Sequence, residues 1–206
     1  MSNKDKIEGK ENKIIYNILM LGIVKVIFNI LFRPKYENRD NIPKSDSVIL
    51  CGNHTKFLDC ILIMQSTNRF VHFLAKKELL DSKFSFIFKL FKIIPVDRFS
   101  NDKHRNDNVK NEVVSNLNSG RLIAIFPEGT INNTKNLILP FKKGAAQFAI
   151  DTNSYIVPFV IVGKYGLFNR VKIVFGEKYK VTSKDIVKET KKLEDIIKKM
   201  LLDNRK

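Results

Sequence analysis

His54 and Asp59 are the pair in this chain whose types and spacing could do acid–base chemistry. An imidazole oriented by a carboxylate is a general base, because the carboxylate fixes the tautomer and stabilises the imidazolium that forms. The spacing carries a structural condition. Residues five apart on a regular helix point about 140° away from each other. The two side chains can meet only if His54 lies in a loop and Asp59 in the first turn of the helix that follows. A carboxylate in a first turn is also favoured by the helix dipole. The neighbouring residues supply that arrangement. Val48-Ile49-Leu50-Cys51 reads as a buried strand, Gly52-Asn53 breaks it, and Cys60-Ile61-Leu62-Ile63-Met64 is apolar enough for a core-facing helix. No serine stands beside the pair, so the nucleophile is expected to be a hydroxyl on the substrate. Taken alone, such a pair also arises as a loop histidine and a capping carboxylate.

Other residues could hold a charged substrate. Arg98 closes Ile94-Pro95-Val96-Asp97-Arg98 and offers a planar fork that suits a phosphate. Phe126-Pro127-Glu128-Gly129-Thr130 ends an apolar run from Arg121. Glu128 there could accept a hydrogen bond from a substrate hydroxyl or hold a neighbouring base, and Gly129 lets backbone approach closely. Lys142 and Lys143 precede a short helix expected over 145–150, whose first N–H groups also favour anions.

These stretches share a resemblance. Asn53-His54-Thr55-Lys56-Phe57-Leu58-Asp59 resembles the first motif, N-H-x-x-x-x-D, of the glycerolipid acyltransferases, which include the 1-acylglycerol-3-phosphate acyltransferases. Ile94 to Arg98 looks like the second motif, Phe126 to Thr130 matches the third, and Ile156-Val157-Pro158-Phe159 is similar to the fourth. All four stand in family order over about residues 47 to 163. The resemblance implies His54 and Asp59 as catalytic residues, with Asn53, Arg98, Glu128, Gly129 and Thr130 binding substrate. It implies transfer of a fatty acyl group from acyl-CoA or acyl carrier protein to the sn-2 hydroxyl of lysophosphatidic acid, giving phosphatidic acid. Another lysolipid acceptor is the alternative. The family usually has Arg after the Thr of the third motif, where this chain has Ile131. Lys142 and Lys143 are expected to compensate. No cofactor is implied, and His54, Asp59 and Cys60 lack a recognised metal-ligand spacing.

The elements that must position these residues alternate. Strands are expected near Val48–Cys51, Phe70–Ala75, Arg121–Phe126, Ser154–Val162 and Val171–Phe175. Helices are expected over Asp59–Gln65, Lys77–Ile94, Val109–Asn118 and from a capping box at Thr182–Asp185 to about Leu202. The alternation predicts a single α/β domain over 37–206, with a mixed, mostly parallel central sheet flanked by helices. Its site should lie at the strand carboxyl ends. Pro158 marks its strand as an edge or a bulge. His72 reads as a half-exposed strand histidine. The phenylalanines of 77–94 make a wide apolar face, for core packing or an acyl-chain wall.

At 206 residues and 44% hydrophobic content, one full core is expected. The net charge of +16 calls for an anionic partner. An anionic membrane surface or phosphorylated substrate fits better than nucleic acid, because no nucleic-acid motif is present and the aromatics sit in apolar faces. A basic module binding anionic surfaces is nevertheless the non-enzymatic alternative. The two cysteines, Cys51 and Cys60, form no C-x-x-C, which suits a reducing setting. A thiol hydrolase using either with His54 is a further alternative, but leaves Pro127 to Thr130 unexplained. Residues 1–36 read as a polar tail and an apolar helix from Ile14 to Phe32. That helix could lie on a membrane, pack on the domain, or span. Lys25 in its middle and a polar stripe of Asn17, Gly22, Lys25 and Asn29 favour lying on the surface. The expected location is therefore the cytoplasmic face of the cell membrane, peripheral or monotopic.

Overall fold

The structure, a computed structural model, describes residues 22, 24–76, 94–96, 103–167 and 169–205. In chain order its elements are α1 (Val24–Phe32), β1 (Lys35–Glu37), β2 (Val48–Gly52), α2 (Asp59–Gln65), β3 (Val71–Lys76), β4 (Ile94–Val96) and α3 (Lys103–Asn118). Then come β5 (Leu122–Ile125), α4 (Gly144–Thr152), β6 (Tyr155–Gly163), β7 (Val171–Phe175), β8 (Tyr179–Lys180) and α5 (Ile186–Asn204). The expected helix over 77–94 lies outside the described residues, apart from Ile94, which begins β4.

The sheet runs β1-β7-β6-β2-β5-β3-β4, with β8 pairing β6. β2 is central: it pairs parallel with β5 on one side and with β6 on the other. β3 pairs parallel with both β5 and β4, and only the β6–β7 and β6–β8 ladders are antiparallel. A strand buried on both faces should be continuously apolar, and all five residues of β2 are buried. Its side chains alternate between two cores. Val48 and Leu50 pack with Leu62 and Ile63 of α2 and with Phe28 of α1. Ile49 and Cys51 pack with Val113 and Leu117 of α3, Phe148 of α4, and Leu193 and Ile197 of α5. The mixed, mostly parallel α/β architecture expected from the sequence is what forms.

Four local expectations change. β6 is an inner strand, so of the edge or bulge that Pro158 marked, the edge is excluded and an interruption of the ladder remains. That residue falls between the β7 pairing, which begins at Phe159, and the β8 pairing, which ends at Ile156. The Pro158 carbonyl accepts from Gly176 N–H at 2.8 Å. Its nitrogen faces the same gap, so the missing N–H removes no ladder bond. His72 is 6% exposed and buried, because β3 lies inside the sheet between β5 and β4. The α5 cap is Asp185, whose carboxylate accepts from Val187 N–H and Lys188 N–H, both at 3.0 Å. Ser183 Oγ instead accepts from Asp185 N–H. α3 begins at Lys103, six residues before the expected start, because its polar first turns carry no apolar period to announce them.

The segment before the domain is partly docked. β1 pairs parallel with β7, and Phe28 of α1 is 3% exposed. Residues 1–21 of the expected apolar helix and its tail lie outside the described residues. Among the described residues no helix is long and apolar enough to cross a membrane.

Candidate functional site

β2 and β5 run parallel side by side, so their carboxyl ends reach the same rim of the sheet. His54 follows β2 and Glu128 follows β5, which puts both motifs at one rim. Gly52 makes the approach possible: a Cβ there would overlap the Phe159 carbonyl and ring of β6. One residue on, Asn53 extends the pairing with its side chain. Its Nδ2 donates to the Ile161 carbonyl at 2.9 Å, and its Oδ1 accepts from Ile161 N–H at 2.7 Å. Asn53 was expected to bind substrate, but its amide is committed to β6, where it ends the strand and aims the next residue.

His54 meets Asp59 as the spacing required. Nδ1 lies 2.9 Å from Asp59 Oδ2. Asp59 opens α2 and is fully buried. A buried carboxylate needs donors, and four more converge on it. Thr55 N–H donates to Oδ2 at 2.6 Å, Lys56 N–H to Oδ2 at 2.9 Å, Thr55 Oγ1 to Oδ1 at 3.0 Å and the Tyr165 hydroxyl to Oδ1 at 2.6 Å. An acceptor so surrounded takes a proton-bearing Nδ1 as its partner, which leaves the Nε2 lone pair for substrate. The His54 side chain is 15% exposed, enough for one ring edge to be reached. Its face stacks on Phe126, with centroids 3.8 Å apart and planes 11° from parallel.

Of the two tasks expected of Glu128, the structure shows the second, a hold on the neighbouring histidine. It is 5% exposed, and both its oxygens are taken by main-chain donors. His54 N–H donates to Oε1 at 2.9 Å and Leu139 N–H to Oε2 at 2.7 Å. Burial pushes its carboxyl above the usual range, and these two donors oppose the rise. On the other side, the His54 carbonyl accepts from Asn132 N–H at 2.9 Å. The main chain of His54 is thus held from both sides by the segment after β5. Glu128 therefore positions the His54 main chain through one oxygen and the Leu139 main chain through the other.

The remaining site residues fall around this centre. Gly129 has φ of 74°, a left-handed conformation that favours glycine, and a Cβ there would come within 2.9 Å of Lys142 Cε. The Lys142 stem therefore lies against the third motif at Gly129. Thr130 and Lys143 are exposed, and Lys143 precedes α4 without a side-chain cap. Arg98 lies outside the described residues. Among the described residues no group of three or more His, Cys, Asp or Glu side chains gathers as a metal site.

Tyr165 and Phe126 went unassigned in the sequence. Tyr165 is 106 residues from Asp59, with no local pattern to announce the contact. Phe126 stood inside a quoted motif but was assigned only to a strand. The thiols offer no competing nucleophile. Cys51 is fully buried in the core, and burial drives its thiol far up. Cys60 is pushed up to about 12 by burial and then by the Asp59 charge. Neither is a ready thiolate.

The model of the acyltransferase family matches residues 33–162, which include every motif described above. The chain belongs to the acyltransferase family. Among its relatives, the 1-acyl-sn-glycerol-3-phosphate acyltransferase of Bacillus subtilis is 28% identical over 162 residues, covering 75% of this chain and 77% of that one. The enzyme of the same name from Borreliella burgdorferi is 31% identical over 138 residues, covering 66% of this chain and 54% of the relative. This acyltransferase chain thus spans about half the length of some relatives and three quarters of others. The fold also matches the crystal structure of the 1-acyl-sn-glycerophosphate acyltransferase of Thermotoga maritima. That match has a TM-score of 0.66 and 19% identity, and covers 99% of this chain and 84% of the other.

Proposed function

We propose that this acyltransferase moves a fatty acyl group from a thioester, acyl-CoA or acyl carrier protein, to the sn-2 hydroxyl of lysophosphatidic acid, making phosphatidic acid. The observation that carries the reading is the His54 Nδ1–Asp59 Oδ2 contact at 2.9 Å, on a carboxylate with four further donors. Nε2 takes the proton of the acceptor hydroxyl as its oxygen attacks the thioester carbonyl. The tetrahedral intermediate collapses, the carbon–sulfur bond breaks, and the departing sulfur takes the proton back from Nε2. No protein side chain becomes acylated. Asp59 fixes the tautomer and stabilises the transient imidazolium.

Arg98 and Lys142 are assigned to the acceptor phosphate, with Ile131 standing where the family usually has Arg. The chain is read as lying on an anionic membrane at the cytoplasmic face. Three apolar residues of α1 support that placement: Val26, Ile27 and Ile30 are 57%, 51% and 67% exposed, while Phe28 faces the core. Phe57, in the turn between His54 and Asp59, is 52% exposed. An outward apolar stripe beside a site for a lipid substrate is suited to an interface.

The test is to incubate purified protein with radiolabelled acyl thioesters and a panel of lysophospholipids, and to identify the product. Phosphatidic acid is expected from lysophosphatidic acid. General-base removal typically costs about 10²–10⁴ in rate, so His54→Ala and Asp59→Ala should lose that much while thermal unfolding remains cooperative. Near-normal turnover in either variant overturns the assignment.

A further inference from the structure

A cleft of about 390 Å³ opens beside the dyad and is lined in part by His54, Thr55 and Glu128. Its lining is mostly polar, which suits a polar group better than an acyl chain. Three cations also line it: Arg170 at the entry to β7, Lys172 within β7, and Arg205 just past the end of α5. None belongs to a stretch that the sequence singled out for chemistry. Asn132 and Asn136, from the segment after β5, add neutral polar groups, and Leu137, Ile161 and Val162 add apolar wall.

The charges in this cleft do not cancel. Among the described residues Glu128 is its single carboxylate, against Arg170, Lys172 and Arg205, and both Glu128 oxygens hold main-chain N–H groups. Lys172 is partly occupied, donating to Asn204 Oδ1 at 2.9 Å and lying 3.5 Å from Glu37. Arg170 and Arg205 have no carboxylate partner among the described residues. Two guanidinium forks without a carboxylate partner among the described residues, at a cleft that reaches the proton-accepting histidine, are complementary to a phosphate group.

We infer that Arg170 and Arg205 form an anion subsite that holds a phosphate group of one substrate while its reacting end lies at His54. The inference rests on the acyl-transfer reading for which end reacts. The phosphate could be the monoester of the acceptor lipid or a phosphate of coenzyme A on the donor.

The experiment separates these sources. Arg170→Gln, Arg205→Gln and the double variant are compared with wild type and with Lys199→Gln, a charge-matched control on the exposed face of α5. Each is assayed with lysophosphatidic acid against monoacylglycerol, and with acyl-CoA against the acyl thioester of N-acetylcysteamine. The second member of each pair lacks phosphate. Binding of glycerol 3-phosphate and of coenzyme A is followed in parallel by NMR.

A charge-assisted hydrogen bond is worth roughly a factor of ten in affinity. The double variant should therefore raise KM at least about tenfold for the phosphate-bearing member of one pair, with kcat moving less and the phosphate-free partner unaffected. A rise for lysophosphatidic acid assigns the subsite to the acceptor; a rise for acyl-CoA assigns it to the donor. KM values within twofold of wild type in both pairs overturn the inference. So does a loss shared equally by charged and neutral substrates, which would mark a structural role. If wild type transfers no acyl group yet the double variant loses binding of glycerol 3-phosphate or of coenzyme A, the acyl-transfer reading fails and the subsite stands. Equal binding of each ligand by both proteins, with no transfer, removes both.

Discussion

Tyr165 ties the buried Asp59 carboxylate to the rest of the protein. Its hydroxyl donates to Asp59 at 2.6 Å, and its ring edge meets Phe32 at 5.6 Å and Phe28 at 6.3 Å between centroids. Burial and the neighbouring Asp59 charge push the phenol well above its usual range, so it stays a donor at any working pH. Tyr165→Phe keeps the ring contacts and removes one hydrogen bond to a charged group, worth about 1.5–3 kcal/mol. We expect kcat to fall roughly tenfold while KM changes little, because the loosened Asp59 acts on the reacting histidine rather than on substrate binding. Steady-state kinetics on folded Tyr165→Phe checks this; a change confined to KM would contradict it. A second prediction concerns Cys60, whose thiol is pushed up to about 12 by burial. The thiolate is the reactive form, so at pH 8 its alkylation should run roughly a thousandfold slower than that of a free cysteine, rising with pH. Acyl transfer should survive such treatment. Mass spectrometry of the alkylated protein, beside an activity assay, reads both outcomes.

At the scale of elements, the site depends on how closely β2 and β6 approach. A side chain at Gly52 would strike the Phe159 carbonyl and ring, and Phe159 is itself fully buried. The two strands cannot part without disturbing Asn53, whose amide holds Ile161 immediately ahead of His54. Gly52→Ala should therefore cost about 1–3 kcal/mol of stability, measurable by urea denaturation, and reduce activity beyond what the folded fraction explains. Wild-type stability in this variant would show that the strands give way freely. The helix α1 has its own division of labour. Phe28 is in the core beside α2, while Val26, Ile27 and Ile30 face outward. The sequence marked this helix by its polar stripe; packing decided which of its apolar residues face away from the domain.

Over the whole molecule, the net charge of +16 and the outward apolar face of α1 act together. On the membrane placement proposed above, charge would draw the chain to an anionic surface at long range, and apolar contact would add a term that salt does not screen. The protein should co-sediment with vesicles containing anionic lipid at about 0.1 M salt, where the Debye length is about 10 Å. It should release partly near 1 M, where that length is about 3 Å. Replacing Val26, Ile27 and Ile30 together by Ser should remove the salt-resistant remainder. Equal binding to neutral and anionic vesicles would contradict the electrostatic part.

Much of this protein is written locally. The His54–Asp59 contact spans five residues, and a strand, a break and a helix start between Val48 and Met64 suffice to forecast it. The alternation of apolar strands and helices likewise determines a mostly parallel sheet with its site at the carboxyl rim, because a strand buried on both faces has few other ways to be covered. What needed the folded chain are the contacts between distant segments. Glu128 was visible as a site residue, but that its oxygens hold His54 N–H and Leu139 N–H depends on β2 and β5 lying side by side. Pro158 implies an edge or a bulge, and only the gap between the β7 and β8 ladders, which gives its nitrogen nothing to bond, excludes the edge. Tyr165, Arg170 and Arg205 carry no local signal, since a single polar residue in a loop looks alike whether it faces water or a buried carboxylate. Sequence periodicity records which side of an element is covered, and only tertiary packing decides what covers it.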